Sequence, residues 1–449
     1  MSAPRFPLRA AAALFLERQQ LDRPRARRLT PASAVSLVRG VGGLQLDSIN
    51  VVDRAHRITL WSRFGPHDRD RFDRIVYHRR LLFEYWAHAA CIVPTEDFPA
   101  WRRPMLDYHT RNRAWSKFLR KHGPMLKKVE AAIRERGPLG SADFDQPQKK
   151  RSAGWWNWKP AAHALDFLWM SGVITSHSRK HFQKRFDLTE RLLPDALARP
   201  PFSREKFFDW HLDRSLDAMG AATETDLSRY MTFPRHSTND RRAALKKALR
   251  AGTVVEVAIE GIARRWFVRQ GDLEALERAA RRRAASRGTT FLSPFDSFLW
   301  HRERTERLFG FDYTIEVYVP SHKRRFGYYS LPILHDGQLI GRADLKTHRA
   351  ESRLELKAVH FEPWFARGEP PPAARWQAVD RDAALAGVAE AARSLAAFVG
   401  AREVTLGAVA PRALRAPLAR ALAHAPALHA LDAPIEDDAE QTDAEPAEI

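Results

Sequence analysis

A diverged internal repeat constrains this chain more than any other feature. Residues 137–144 (GPLGSADF) parallel residues 220–227 (GAATETDL). Each copy runs into a helical stretch and then into an element that sets Leu, Gly and Val in order, LWMSGVI at Leu168–Ile174 and LRAGTV at Leu249–Val254. The glycine-to-glycine distances are 35 and 32 residues, and the difference fits an insertion in QPQKKRSAGWW. A basic strand pair follows each copy, over residues 174–189 and 254–269. The implied order is helix, turn, helix, turn, third helix, two-stranded wing. Gly172 and Gly252 sit where a helix ending in the left-handed region wants glycine. Two winged helices are therefore expected, with the third helix of each suited to the major groove and the wing suited to phosphates.

The N-terminal segment reads as a third copy. Leu8–Gln19 is apolar at helical spacing, and Thr30-Pro31 is a cap followed by proline at the first helical position, predicting a helix to about Val38. Gly40, Gly42 and Gly43 end it. Asp47 or Ser48 is then expected to cap a third helix to about Arg57, with a further helix over Arg69–His78 and a strand over Glu84–Val93. Arg281-Arg282-Arg283 marks a joint. Beyond it Phe311–Val319, Gly327–Leu334, Gln338–Lys346 and Arg353–His360 read as strands, with His335-Asp336-Gly337 as a hairpin turn. Alanine-rich helices at about 376–398 and 412–424 close the domain. The expected fold is α+β: three tandem winged helix-turn-helix modules (1–103, 104–200 and 201–288), a small β-rich C-terminal domain (289–428) and an acidic disordered tail (429–449).

Charge narrows the partners. Lys and Arg number 74 against 54 Asp and Glu, and residues 421–449 hold eight of the acids and none of the bases. Residues 1–420 thus set 74 bases against 46 acids, a net of +28. A surplus of that size points to a polyanion, either nucleic acid or an anionic membrane surface. The single Cys91 excludes an intramolecular disulfide framework and a multi-cysteine zinc site. The N-terminus is too interrupted by charge for a secretory signal, and no apolar run approaches the ~20 residues that span a bilayer. A soluble cytoplasmic, nucleoid-associated protein is expected, acting as a monomer and not on membranes.

Gln45-Leu46-Asp47 carries the chemistry. In an extended segment Gln45 and Asp47 face one way and Leu46 the other. A carboxylate beside a carboxamide suits attack at a glycosidic carbon, where the transition state is a positive oxocarbenium ion that a fixed anion stabilises. Such chemistry ordinarily uses two carboxyl groups, one to protonate the leaving group. A base already made cationic by N7-alkylation needs only one. The plainer role for Asp47 is a helix cap.

Around this motif stand RAHRITLWSRFG, RLLFEYWAHAACIVP, SPFDSFLWHRERTERLFGFDYTIEVYVP (293–320) and GYYSLPILHDGQLIGRADLK (327–346). In this order the blocks resemble the winged-helix DNA glycosylases of the YcaQ/AlkZ-like family, over about residues 8–400. That family acts on alkylated and interstrand-crosslinked guanine and carries Gln-apolar-Asp or Gln-apolar-Gln at this place. The resemblance implies that Asp47 is the catalytic carboxylate and Gln45 a positioning residue. It implies no metal and no organic cofactor, and double-stranded DNA with alkylated or crosslinked guanine as partner.

Candidate DNA contacts are Arg54, His56 and Arg63 after the motif, Trp86 and His88 on the expected strand, and Arg179, Lys180, Arg264 and Arg265 on the wings. Lys149, Lys150, Arg151 and Lys184 are further phosphate candidates, and Trp155, Trp156 and Trp158 candidate wedges. Each has a plainer reading: a solvated basic face, a buried Glu84–His88 pair, or core tryptophans. Ser293-Pro294-Phe295-Asp296 reads as a turn and cap fixing the angle between domains. Motifs for nucleotide hydrolysis, redox or acyl transfer are missing. The expected function is a monofunctional DNA glycosylase that hydrolyses the N-glycosidic bond of N7-alkylguanine and unhooks crosslinks. The alternative is a non-catalytic tandem winged-helix transcription regulator.

Overall fold

The computed structural model describes residues 3–25, 27–111, 113–144, 160–281, 288–373 and 379–425. One element order recurs along it. In the first unit, helix Pro31–Gly40 leads to strand Leu44–Gln45, helices Ala55–Phe64 and Arg69–Tyr77, and a hairpin of Leu82–Trp86 with Ala90–Pro94. In the third, helix Arg204–Met219 leads to strand Ala221–Ala222, helices Glu224–Arg229 and Thr238–Arg250, and a hairpin of Val254–Ile259 with Ile262–Arg269. In both, the short strand adds antiparallel to the returning arm of the hairpin, Gln45 against Cys91 and Ala222 against Phe267. The second unit keeps the plan: helix Arg113–Arg136, a Leu139–Phe186 bridge in place of the short strand, helix Pro160–Met170, and a hairpin of Ile174–Lys180 with Gln183–Leu188.

Local chemistry explains several boundaries. Thr30 accepts the Ser33 amide while Ser33 bonds back to the Thr30 amide, and Pro31 fills the first helical position. Gly172 and Gly252 follow their helices at φ 76° and 69°. At Gly172 a Cβ would also lie 2.5 Å from Met105 Sδ, so packing as well as backbone conformation demands glycine.

Four expectations need correction. The stretch expected as one strand over Glu84–Val93 is a hairpin that turns at residues 87–89. No helix starts at Asp47 or Ser48; residues 46–54 are non-helical and the helix begins at Ala55. The cause lies about 300 residues away. The Thr347 amide donates to Val51 O at 3.0 Å, Thr347 Oγ1 to Val52 O at 3.1 Å, and Arg349 to Asn50 Oδ1 at 2.9 Å. The C-terminal sheet claims this backbone. Helix Leu8–Arg18 belongs elsewhere than expected: Ala10–Leu16 are all essentially inaccessible, packed with the third unit and helix Arg302–Phe309. The first unit's three helices are those at 31–40, 55–64 and 69–77. Phe311–Val319 is not a strand. Glu316 accepts the Arg325, Phe326 and Gly327 amides at 2.9–3.0 Å and fixes the segment as a loop.

The C-terminal sheet runs Thr289–Phe291, Ser330–His335, Gln338–His348 and Arg353–Phe361 in antiparallel order. Strand Glu403–Ala410 then adds parallel to Arg353–Phe361, reached through helix Arg381–Phe398. Val52, Ile58 and Trp61 of the first unit sit in this domain's core. The joint is locked by a fully buried Arg63–Asp296 pair, with Arg63 Nη2 donating to Asp296 Oδ1 at 2.9 Å. Asp296 also caps the short turn at Ser297 by accepting the Phe298 amide at 3.0 Å, in keeping with the turn-and-cap reading.

Candidate active site

Burial alternates along Leu44, Gln45, Leu46 and Asp47. The two leucines enter the first unit's core, while Gln45 and Asp47 are half-buried. Leu46 holds the register by donating its amide to Ala90 O at 2.8 Å. Asp47 Oδ1 accepts the Ile49 amide at 2.8 Å, a side-chain turn that fixes the carboxylate against its own backbone. Oδ2 has no hydrogen-bond partner among the described residues, and neither does the Gln45 carboxamide. The site thus presents one anchored carboxylate with a spare oxygen beside a carboxamide with both functions open.

The sheet register decides what accompanies them. Gln45 is level with Cys91 and Tyr85, whereas Leu44 is level with Ile92 and Glu84. Paired residues share a face in an antiparallel sheet, so Glu84 and Trp86 lie on the face opposite Gln45. Glu84 is buried and engaged: Arg179 holds both its oxygens at 2.6 and 2.7 Å, and Tyr77 Oη donates at 2.6 Å. It is not a second carboxylate for this site, and its partner is Arg179 rather than His88. Cys91 is no nucleophile either, since burial pushes its thiol up to about 11.

Sequence reasoning missed Tyr329. Its phenol is buried, lies 3.4 Å from Ser293 Oγ, and is raised in pKa by burial and then by the Asp47 and Asp53 charges. A neutral hydroxyl therefore sits within the field of Asp47. Phe182, at the turn of the second unit's hairpin, was also missed. It inserts between the Arg54 and Arg179 guanidinium groups, 4.1 and 4.4 Å from its ring centroid. No local pattern marks either residue, because their partners lie in other units.

The predicted DNA contacts divide sharply. Arg63 is 1% exposed and spent on Asp296, Ser62 and the Gln19 carbonyl, so it does not reach a ligand. His56 is buried beside Phe72 and Phe182; burial, then the Arg57, Arg179 and Arg54 charges, hold it neutral. Arg179 is committed to Glu84. His88 lies in the hairpin turn, not on the strand, donating to Tyr230 O at 2.7 Å and stacked on Trp300 at 4.7 Å. Arg54 reaches back to the Ser48 carbonyl and braces the motif loop. Trp86 is 37% exposed, with an edge contact to Trp169. Lys180, Arg264 and Arg265 are exposed on the hairpins, and Arg265 pairs with Glu256 at 2.5 Å. Lys184 lies 3.1 Å over the Trp169 ring, where burial pulls it down to about 8. Lys149, Lys150, Arg151 and the Trp155, Trp156 and Trp158 cluster fall outside the described residues.

The chain is basic, repeats helical units closed by hairpins, and holds a carboxamide at the end of a short strand with a carboxylate two residues on. Residues 38–398 match the family model for AlkZ-like DNA glycosylases, and the chain belongs to that family. It is a DNA glycosylase and its substrate is DNA, which decides between enzyme and regulator. Among solved structures it is similar to Streptomyces sahachiroi DNA glycosylase AlkZ, at 18% identity and a TM-score of 0.60, over 90% of this chain and 100% of that one. At that identity the likeness is one of fold. Among the described residues no helix is long and apolar enough to cross a membrane.

Proposed function

We propose that the chain hydrolyses the N-glycosidic bond of N7-alkylguanine in duplex DNA, crosslinked guanine included, with Asp47 stabilising the oxocarbenium ion and directing water. Gln45 positions that water or a sugar oxygen. The observation that carries this reading is the anchored Asp47 carboxylate, with one oxygen tied to Ile49 and the other without a partner among the described residues. An N7-alkylated base leaves as a neutral species, so no acid is required on the other side. The recurring helix–strand–helix–helix–hairpin order supports assigning three winged-helix modules followed by a β-rich domain, working as a monomer on nucleoid DNA. Lys180 and Arg264 are exposed hairpin residues suited to meet phosphates, and Arg265 joins them on leaving Glu256.

The test is base release from duplexes carrying one N7-methylguanine or one N7-guanine crosslink, by the wild-type chain and by Asp47→Asn. The expected result is a fall of about 10²-fold or more in the variant, the scale for removing one electrostatic contact to a transition state, with DNA affinity unchanged. Equal release by both proteins refutes the assignment of Asp47.

A further inference from the structure

The second unit's hairpin, Ile174–Lys180 with Gln183–Leu188, closes on a two-residue turn in which Lys180 stands opposite Gln183. Its central residues, His181 and Phe182, both lie in the left-handed region, at φ 49° and 67°. Such turns ordinarily carry Asn-Gly, because bulky side chains disfavour that conformation. A phenylalanine kept there at a conformational cost points to a use for its ring.

The ring is fixed from its own unit and spent on the first one. Arg179 Nη1 donates to Phe182 O at 2.7 Å, and Arg179 is itself tied to both oxygens of Glu84. The ring packs against the first unit's core and lies near-parallel to the buried His56 ring, centroids 6.3 Å apart. The Arg54 guanidinium sits over it, 4.1 Å from the centroid. Arg54 is half-buried and makes no ion pair among the described residues, so its guanidinium rests on the ring face.

Arg54 Nη1 donates to the Ser48 carbonyl. The nitrogen of that same peptide group is the Ile49 amide, which donates to Asp47 Oδ1 at 2.8 Å. One peptide group is thus gripped at both ends, at its oxygen by Arg54 and at its N–H by the Asp47 carboxylate. The group is planar, so an arginine that fixes the oxygen also fixes the direction of the N–H. The two hydrogen bonds polarise one another as well.

We infer that Phe182 is a positioning residue for base release: its ring seats Arg54, Arg54 sets the Ser48–Ile49 peptide, and that peptide aims the Asp47 carboxylate. The tip of the second unit's hairpin thereby completes the site on the first unit's strand. The inference rests on reading Asp47 as the catalytic carboxylate. The competing role for Phe182 is packing alone. Leucine separates the two, being apolar but offering no π face to a cation.

The experiment measures single-turnover release from a duplex carrying one N7-methylguanine, and affinity for the same duplex, with the full chain. Phe182→Ala and Phe182→Leu should both slow release by about tenfold, between the worth of one cation–π contact and the loss that follows an ångström's displacement. Affinity should be unchanged. Phe182→Tyr, which keeps the ring, should recover most of the rate. The double variant Arg54→Ala/Phe182→Ala should be no slower than Arg54→Ala, since a residue acting through Arg54 has nothing left to remove. Hydrogen exchange over residues 47–52 reads the same geometry without chemistry, and Phe182→Leu should speed it in the free protein while the C-terminal sheet keeps its protection. Release by Phe182→Leu at the wild-type rate, a loss confined to affinity, additive losses in the double variant, or unchanged exchange over 47–52 would each overturn the inference. Wild-type release by Asp47→Asn, with exchange faster in Phe182→Leu, would instead place the failure in the reading of Asp47 and not in the relay that holds it.

Discussion

Arg63→Met is the sharpest test of how the first unit and the C-terminal domain are joined. Methionine matches the arginine stem in length but removes the guanidinium from Asp296, Ser62 and the Gln19 carbonyl. Asp296 is fully buried and keeps the Phe298 amide, so a carboxylate is left facing a thioether. Stripping one partner from a buried ion pair costs about 3–5 kcal/mol, against a whole-protein stability of roughly 5–15 kcal/mol. At about 2–4 °C per kcal/mol, Tm should fall by roughly 6–20 °C. The assay is a double-mutant cycle with Asp296→Leu, read by calorimetry. The double variant should be more stable than the sum of the single losses by at least about 2 kcal/mol, because no charge is then stranded. A loss under about 1 kcal/mol in Arg63→Met, or a cycle with no coupling, refutes the reasoning. Well below Tm, Arg63→Met should bind DNA with the wild-type salt dependence, which a phosphate-contacting arginine would not.

Other expectations follow from the same geometry. Lys180→Ala and Arg264→Ala should each weaken DNA binding across sequences and lower the salt slope by about one; an unchanged slope would place the phosphate track elsewhere. His211 and His67 both have pKa values lowered to about 4. The unfolded chain binds protons that the folded chain refuses. Their contribution is therefore complete above about pH 6.5 and lost as pH falls towards 4. Tm measured across that window should decline on acidification, and His211→Phe should flatten part of the decline. Asp226, against the cost of burial, is held far below the usual carboxylate range by Arg304, His301 and Arg307. Asp226→Asn should lower Tm at pH 7 and lose less than wild type between pH 4 and pH 2; an equal loss would show that the cluster is not paired as described.

Elements set by local chemistry were legible in the sequence. The Thr30-Pro31 cap, the Asp336-Gly337 turn and the glycines after helices Pro160–Met170 and Thr238–Arg250 announced themselves, because their partners lie within a few residues. The extended reading of Gln45-Leu46-Asp47 likewise set Gln45 and Asp47 on one face and Leu46 on the other. What failed was decided at long range. Residues 48–54 offer good caps and no proline, yet Thr347 and Arg349 pull them out of a helix. Arg63 and Arg179 read as a basic face because Asp296 and Glu84 stand 233 and 95 residues away in sequence. Charge counts treat such arginines as available, and only the fold reveals which are spent.

The loop carrying Asp47 behaves as a beam fixed at both ends. One end is strand-paired at Leu46 to the first hairpin, and the other is pinned at Asn50–Val52 to the C-terminal sheet. A beam held at one end swings; held at two, it bows only slightly under load. Displacing a reacting group by an ångström costs on the order of 10²-fold in rate. The C-terminal domain therefore works as an abutment, and removing it should silence catalysis even where the motif itself is untouched.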